Sequence, residues 1–289
     1  MGLRSPVLTL SPPARRLLVP VVLALAGVLW AGEAPREPLP TLAAARAAGP
    51  TGLPRLLGHV QAEDPERRVR ARRLVRAVVL DHLKVKTPAG MVLVPPRLTY
   101  AGATVRYDGG FYLGRSEVTR GVFRAFAQRQ GWSLESWPDS EPNVPATMMS
   151  LVQARAYAKA QGARLPTADE LRFAATGGHR FRYPWGDRFT AVRVHARESG
   201  ADGLAAVDAC KRGRSVHGIL GLLGNAAEWT ETTVGKRTIM YIAVGGSYRT
   251  HTRRRQFQTY RLAERASAPD VGFRLARSLP ALPVPSEKS

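Results

Sequence analysis

Two side chains with oxygen donors lie three positions apart in a glycine-led turn. The turn runs from Gly224 to Trp229 and contains Asn225 and Glu228, an amide and a carboxylate. Calcium takes about six to eight oxygen ligands, including carboxylates, amide oxygens and main-chain carbonyls. The turn therefore predicts a structural calcium site with Asn225 and Glu228 as ligands, completed by nearby carbonyls. The alternative is that both side chains only tie loops together through hydrogen bonds to the backbone and to arginine.

A second group of functional side chains follows a Gly-Gly pair at positions 245 and 246. It combines two hydroxyls, an imidazole and a guanidinium. Two further arginines, Arg253 and Arg254, directly precede the one that supplies the guanidinium. Guanidinium groups bind carboxylates and phosphates through paired hydrogen bonds. The segment is therefore a candidate pocket for an anion or a peptide carboxylate, or else a solvated arginine face. The candidates are Ser247, Thr250, His251 and Arg255.

Sulfur and imidazole ligands are few and dispersed. The single cysteine, Cys210, cannot form an internal disulfide bond and offers at most one sulfur to a metal. The histidines stand singly, without the close spacing of a ready-made metal site. They are His59, His82, His179, His195, His217 and His251.

Five short motifs occur in a characteristic order and spacing. They are Arg164-Leu165-Pro166-Thr167, Tyr183-Pro184-Trp185-Gly186-Asp187, Gly224-Asn225-Ala226-Ala227-Glu228-Trp229, Gly245-Gly246-Ser247-Tyr248-Arg249 and Gly272-Phe273-Arg274. With them the chain resembles the formylglycine-generating enzyme, or sulfatase-modifying factor, family over about residues 91–277. The resemblance implies a loop-rich α+β fold with a C-type-lectin-like core and calcium at the Asn225–Glu228 turn. It also implies an oxidase that converts a substrate cysteine to formylglycine with copper held by two cysteines.

Two positions in the decisive segment depart from that family. Ser247 and His251 fall on its active-site positions, but Thr250 and Arg255 stand where the copper-binding cysteines are expected. Copper(I) prefers soft thiolate ligands, which neither a hydroxyl nor a guanidinium replaces. The sequence therefore disfavours copper and predicts a binding or regulatory module, a pseudoenzyme with a vestigial pocket. The alternative is an oxidase of the same family that uses another metal, such as non-heme iron.

The charge of the chain bears on its partners. Lysine and arginine number 43 against 22 acidic residues, a formal net charge of +21. Clustered cations attract nucleic acids, anionic lipids and polysaccharides. Here, however, the charge is mostly arginine spread through every segment, with no zinc-finger, RNA-binding or helix-turn-helix motif. We therefore expect a protein, peptide, glycan or other anionic ligand as partner, and the sequence disfavours nucleic acid.

The N-terminal segment, residues 1–32, is typical of an export signal. Early arginines precede the apolar run from Leu17 to Trp30, and small residues follow it. Such a segment is cleaved or remains as a membrane anchor. The predicted location is extracytoplasmic, periplasmic or secreted.

The rest of the chain divides by composition. Residues 33–52 are predicted as an Ala/Pro-rich linker, 53–85 as a helical pair similar to one HEAT repeat, 91–278 as the main domain and 279–289 as a disordered tail. An Asp64-Pro65 turn joins the two helices, because proline is tolerated at a helix start.

Local signals place the elements of the main domain. Strands are predicted over 91–95, 98–107 and 111–118, where apolar and polar residues alternate between turn residues. Three helices are predicted to begin after the caps Thr119, Ser150 and Thr167, the last with a Thr-x-x-Glu capping box.

Overall fold

The computed structural model describes residues 37–280, apart from residues 61, 63, 102, 103, 109, 134–136, 139 and 254–256. The described chain divides into two compact units. The first comprises residues 37–76 and 97–108, and the second comprises Ala77–Pro96 and Gly109–Pro280. The predicted export segment, Arg255 and the predicted tail from residue 281 onward lie outside the described residues.

The first unit is helical apart from one hairpin. It contains α1 (Leu42–Ala48), α2 (Leu53–Gly58) and the first part of α3 (Pro65–Val85). Helix α3 begins at Pro65, since the missing N–H of proline costs nothing at the first helical position. Helix α1 lies within the segment predicted as a linker. Its start is stabilised by Thr41, whose hydroxyl accepts a hydrogen bond from the Ala44 amide at 3.2 Å.

The hairpin consists of β2 (Arg97–Ala101) and β3 (Thr104–Asp108), which pair antiparallel. The sequence predicted one strand over residues 98–107, and the structure corrects this to two. Apolar and polar residues alternate within each strand, but the alternation changes phase across Ala101-Gly102-Ala103, a sequence signal for a break that the prediction of one strand did not use.

The second unit contains two sheets. One has the strand order β1–β4–β9, with β1 at Met91–Val94, β4 at Phe111–Gly114 and β9 at Ala276–Ser278. The other has the order β7–β6–β5–β8 and brings distant parts of the chain together. Its strands are β5 (Ala227–Val234), β6 (Met240–Val244), β7 (Thr259–Leu262) and β8 (Val271–Gly272).

Three capped helices accompany these sheets, and their predicted starts are confirmed. Helices α4 (Arg120–Arg129), α5 (Leu151–Ala160) and α6 (Ala168–Ala175) begin directly after Thr119, Ser150 and Thr167. Ser150 and Thr167 both form reciprocal capping boxes, which satisfy amide donors that a helix start leaves unpaired. The predicted α+β class with a preceding helical segment is confirmed.

An aromatic core holds the second sheet against α4 and α5. Phe123, Tyr157, Trp229 and Phe273 are all buried within it. The Trp229 indole N–H donates to the carbonyl of Met149 at 3.1 Å, so the ring is fixed as well as packed. This core fixes the turn that precedes β5 and the loop that follows β8.

Within the part of the chain that the structure describes, no helix combines the length and the apolar character needed to cross a bilayer.

Candidate functional site

A buried ion cluster lies where the turn before β5 meets the residues after β8. We define it as Glu117, Asn225, Glu228 and Arg274, all of which are buried. Glu228 belongs to β5, Arg274 follows β8, and Glu117 lies just before α4. The fold thus brings together side chains that are far apart in the sequence.

Arg274 is the centre of this cluster. Its Nε donates to Glu228 Oε2 at 2.6 Å, and its Nη2 donates to the other oxygen of the same carboxylate. The remaining donors reach the carbonyls of Gly114 at 3.1 Å and Leu220 at 2.9 Å. Paired arginine–carboxylate hydrogen bonds are strong and directional. The arginine of the Gly-Phe-Arg motif is therefore a buried structural cation that joins three segments.

Asn225 holds the turn in an unusual conformation. Its φ angle is +58°, in the left-handed region that asparagine adopts more readily than most residues. Its side-chain oxygen accepts from the Ala205 amide at 3.0 Å, and its Nδ2 donates to the Ala205 carbonyl at 3.2 Å. Nδ2 also donates to Glu117 Oε1 at 3.2 Å. Asn225 thus connects the turn to two other loops.

Glu117 has the one carboxyl oxygen of the cluster that lacks a hydrogen-bond partner among the described residues. Its Oε2 is buried without a hydrogen-bond partner and lies 3.9 Å from Arg274 Nη2. Burial raises the pKa of Glu117 to about 8, although Arg274 opposes the rise. A Cβ at position 221 would lie 2.4 Å from Oε2, so Gly221 leaves the room that this carboxylate occupies. Two carboxylates thus share one guanidinium.

The oxygens of the buried ion cluster differ in how far they are already hydrogen-bonded, and this bears on the predicted calcium site. Glu228 already accepts two hydrogen bonds from Arg274, and the Asn225 oxygen already accepts one from Ala205. The orphaned Glu117 oxygen is what a hard cation would satisfy, and a bound cation would favour the ionised form of Glu117. The residues therefore fit calcium if Glu117 joins Asn225 and Glu228 as a third ligand. Sequence reasoning missed Glu117, because no motif links it to a turn 108 positions away.

A second cluster surrounds Ser247, which is fully buried. The Ser247 hydroxyl donates to Asp270 Oδ2 at 2.6 Å, and the Tyr260 hydroxyl donates to the same oxygen at 3.1 Å. Burial raises the pKa of Tyr260 to about 12; a hydrogen bond with Ser247 opposes the rise and Asp270 supports it. Tyr260 is therefore a neutral donor at ordinary pH. Neither Tyr260 nor Asp270 was predicted, because each acquires its role from Ser247 across the fold.

Thr250 uses its hydroxyl to close a tight turn. The hydroxyl donates to the Ser247 carbonyl at 2.9 Å and accepts from the Ser247 amide at 2.9 Å. The structure thus brings Ser247 and Thr250 together, but as two ends of one turn. At the position where the family resemblance implies a copper ligand, this chain has a hydroxyl that makes two hydrogen bonds with the backbone of Ser247.

His251 points towards solvent. Its side chain is 65% exposed, and Nδ1 lies 3.9 Å from Glu198 Oε1. The same carboxylate oxygen accepts from the Arg253 amide at 2.7 Å. Burial acts to raise the pKa of Glu198, but hydrogen bonds from backbone amides, that of Arg253 first, outweigh it and lower the pKa. Arg255, the fourth predicted pocket residue, lies outside the described residues.

Metal ligands of the softer kind are dispersed in the fold as well. Cys210 is half-buried, and burial, with a smaller contribution from Glu117, raises the pKa of its thiol. Among the residues that the structure describes, no group of three or more His, Cys, Asp or Glu side chains could hold a metal ion; the buried ion cluster has two carboxyl groups, and its third candidate ligand is the amide of Asn225.

The second unit and the end of α3 match a known protein family. Residues 79–279 match the family model described as the Sulfatase-modifying factor enzyme 1-like domain, or FGE-sulfatase. The chain belongs to this family. The predicted resemblance is thereby confirmed.

The curated relatives of this chain carry different names. The chain is 37% identical over 101 residues to "Inactive C-alpha-formylglycine-generating enzyme 2" of Mus musculus, which covers 31% of this chain and 32% of the relative. It is 32% identical over 160 residues to "Hercynine oxygenase" of Mycolicibacterium thermoresistibile, which covers 42% of this chain and 35% of the relative. The chain thus spans about a third of the length of these curated relatives.

A solved structure supports the fold alone. The structure titled "Crystal Structure of CarF" superposes with a TM-score of 0.53 at 20% identity, covering 67% of this chain and 99% of that chain.

Proposed function

We propose that this sulfatase-modifying-factor-like domain is a binding or regulatory module that does not oxidise cysteine with copper. The observation that carries the proposal is Thr250. It stands where the family resemblance places a thiolate, and its hydroxyl closes the turn to Ser247. A hydroxyl used in this way offers copper(I) no soft ligand. Cys210 is the only cysteine in the chain and lies outside this segment.

The second support is the saturation of the Ser247 cluster. A hydroxyl that acts as a donor to a substrate needs a free proton, but Ser247 and Tyr260 both donate theirs to Asp270, and the Ser247 oxygen also accepts from the Arg249 amide at 3.2 Å. Asp270 thus orients both hydroxyls, of which that of Ser247 belongs to a buried residue and that of Tyr260 to a half-buried one. The cluster therefore holds the segments of Ser247, Tyr260 and Asp270 together, and we assign it no chemical step.

The proposals for the ligand class and for the cellular location rest on the sequence and not on the geometry of the site. A peptide, glycan or other anionic molecule is the proposed ligand class, because arginine is abundant in the 247–255 segment and in the chain as a whole. The basic start and apolar run of residues 1–32 support export, with the segment cleaved or retained as an anchor.

Calcium is the proposed bound ion. The buried ion cluster has two carboxyl groups for one guanidinium, and Glu117 Oε2 has no hydrogen-bond partner among the described residues. Glu117, Asn225 and Glu228 would hold the ion, which would supply positive charge and link their loops. No catalytic role is attached to it.

A direct assay tests the lost activity. The purified full chain is incubated with copper(I), oxygen and a thiol-bearing peptide, and the peptide is analysed for aldehyde by mass spectrometry. We expect no aldehyde. The matched control carries Thr250→Cys with Arg255→Cys, which restores both sulfur positions that the family resemblance implies. Aldehyde formation by the unmodified chain would refute the proposal.

An oxidase with non-heme iron is the second candidate. The observation that favours it is the likeness to a hercynine oxygenase over 160 residues. Metal analysis of the purified protein separates the two functions. Stoichiometric iron with iron-dependent oxygen consumption would support the oxidase, while calcium without oxygen consumption supports the binding module.

A further inference from the structure

A cleft of about 340 Å³ opens on the second unit beside the Ser247 cluster. Tyr248 and Pro269, which line it, are the chain neighbours of Ser247 and Asp270. Arg120 at the start of α4 and Thr147 also contribute to its wall. A cleft of this volume suits a small molecule or the end of a peptide.

Hydrogen-bond donors without partners gather around this cleft. Arg120 Nε, Trp137 Nε1 and Thr147 Oγ1 are buried and make no hydrogen bond among the described residues. Most buried polar atoms in native proteins have a partner, so three such atoms in one wall are unusual. All three groups can donate, and two can only donate. These atoms are closed off from solvent, so an acceptor oxygen in the cleft would satisfy them only after a shift of the wall side chains.

An exposed carboxylate already pairs with the arginine of this wall. Glu141 Oε2 accepts from Arg120 Nη1; the Glu141 side chain is 48% exposed, whereas that of Arg120 is 10% exposed. The Arg120 guanidinium also lies 5.8 Å from the centre of the Trp137 ring, which limits its movement. Glu141 is thus the more exposed partner of the pair, and it is the side chain that a competing carboxylate would displace from Arg120.

The remaining wall is apolar and includes a strained residue. Met148 has a φ angle of +59° and a side chain that is 44% exposed, and its amide donates to the Ala268 carbonyl at 3.0 Å. A non-glycine residue in this region is uncommon and is retained only where the surroundings enforce it. Leu204 and Pro269 lie in the same cleft. Together they provide a surface for an aliphatic group.

We propose that this cleft binds a carboxylate attached to an aliphatic group, and that the ligand carboxylate replaces Glu141 on Arg120. A sugar is disfavoured, because stacking needs an open aromatic face, and both Trp137 and Tyr248 are buried. The shared chemistry fits a free aliphatic acid or the C-terminal residue of a peptide. The proposal names the ligand chemistry of the binding module and rests on that proposed function.

Titration of the full chain with N-acetyl-L-leucine, followed by calorimetry, tests the proposal. N-acetyl-L-leucinamide, which has the same shape without the charge, is the matched ligand control. We expect the acid to bind at least about tenfold more tightly than the amide, because charge-assisted pairs with arginine exceed neutral ones. Equal affinity for acid and amide would overturn the proposal.

Two variants separate the roles of the paired side chains. Glu141→Gln removes the internal competitor at an exposed position, so we expect affinity for the acid to rise about threefold to tenfold. Arg120→Gln should lower it by about tenfold or more, whereas Arg129→Gln, at the exposed end of α4, should leave it unchanged. An unchanged affinity in the Glu141 variant overturns the exchange even if the Arg120 variant fails to fold.

A third ligand identifies the source of the carboxylate. If N-acetyl-Ala-Ala-Leu binds more tightly than N-acetyl-leucine, the natural ligand is a peptide C-terminus; equal affinities indicate a free acid. None of these titrations involves copper or aldehyde formation, so they fail or succeed independently of the assay for lost oxidase activity.

Discussion

Replacement of Arg274 by methionine should destabilise the second unit severely. Arg274 is fully buried and donates four hydrogen bonds, two of them to Glu228. Its removal leaves the buried Glu228 carboxylate without a countercharge. Removing one partner of a buried ion pair costs about 3–5 kcal/mol, mainly because the other charge stays buried.

The expected change is large enough to measure in a domain of this size. Since about 1 kcal/mol shifts Tm by about 2–4 °C in a domain of roughly 200 residues, Tm should fall by about 6–20 °C. Thermal and urea unfolding are followed by tryptophan fluorescence, which reports on this unit through the buried Trp229. The measurements are made in chelator, so that bound calcium does not compensate for the lost guanidinium.

Arg155→Met is the matched control. Arg155 also pairs with two carboxylates, Glu231 and Glu264, but the side chains of Arg155 and Glu231 are about a third exposed. Exposed pairs contribute at most about 1 kcal/mol. If Arg274→Met and Arg155→Met lower the free energy of unfolding equally, the reasoning on burial is refuted. Arg274→Lys, which keeps the charge but loses the paired geometry, should fall between them.

Three further predictions concern the buried groups. Burial raises the pKa of Glu117 in the folded chain from 4.5 to about 8, so ionisation of Glu117 opposes folding. The free energy of unfolding should therefore fall as pH rises from about 4.5 to about 8. Glu117→Gln should remove this contribution to the pH dependence of the free energy of unfolding, measured by urea titration in chelator. A slope unchanged by the substitution would show that Glu117 is not the titrating group. Calcium should raise the Tm of the unmodified chain but not that of Glu117→Gln, because a ligand stabilises only the state that binds it; an equal calcium response in both would remove Glu117 from the proposed ion site. Finally, Cys210→Ser should leave the affinity for N-acetyl-L-leucine unchanged in calorimetry, and a lost affinity would show that the thiol takes part in binding.

Local signals in the sequence predicted part of the fold well. The helix starts after Thr119, Ser150 and Thr167 depend on hydrogen bonds between residues three apart, which a short window contains. The motif order indicated the family. The break between β2 and β3 was missed, although the alternation changes phase at Ala101-Gly102-Ala103, because a single glycine in a strand pattern is a weak signal.

The site was harder to predict, because its partners come from distant segments. Asn225 and Glu228 were identified from their turn, but Glu117 and Arg274 acquire their roles only when the chain folds. Ser247 and Thr250 were chosen by position. Their hydrogen bonds to Asp270 and to each other, which determine what they can do, are not visible in any motif.

Anaerobic titration of the purified chain with copper(I) against a chromophoric chelator tests the central claim most directly. With Thr250 in place of a thiolate, the chain should take no stoichiometric copper from the chelator, whereas the variant with Thr250→Cys and Arg255→Cys should take one ion per chain. One tightly held copper(I) ion in the unmodified chain would contradict the account.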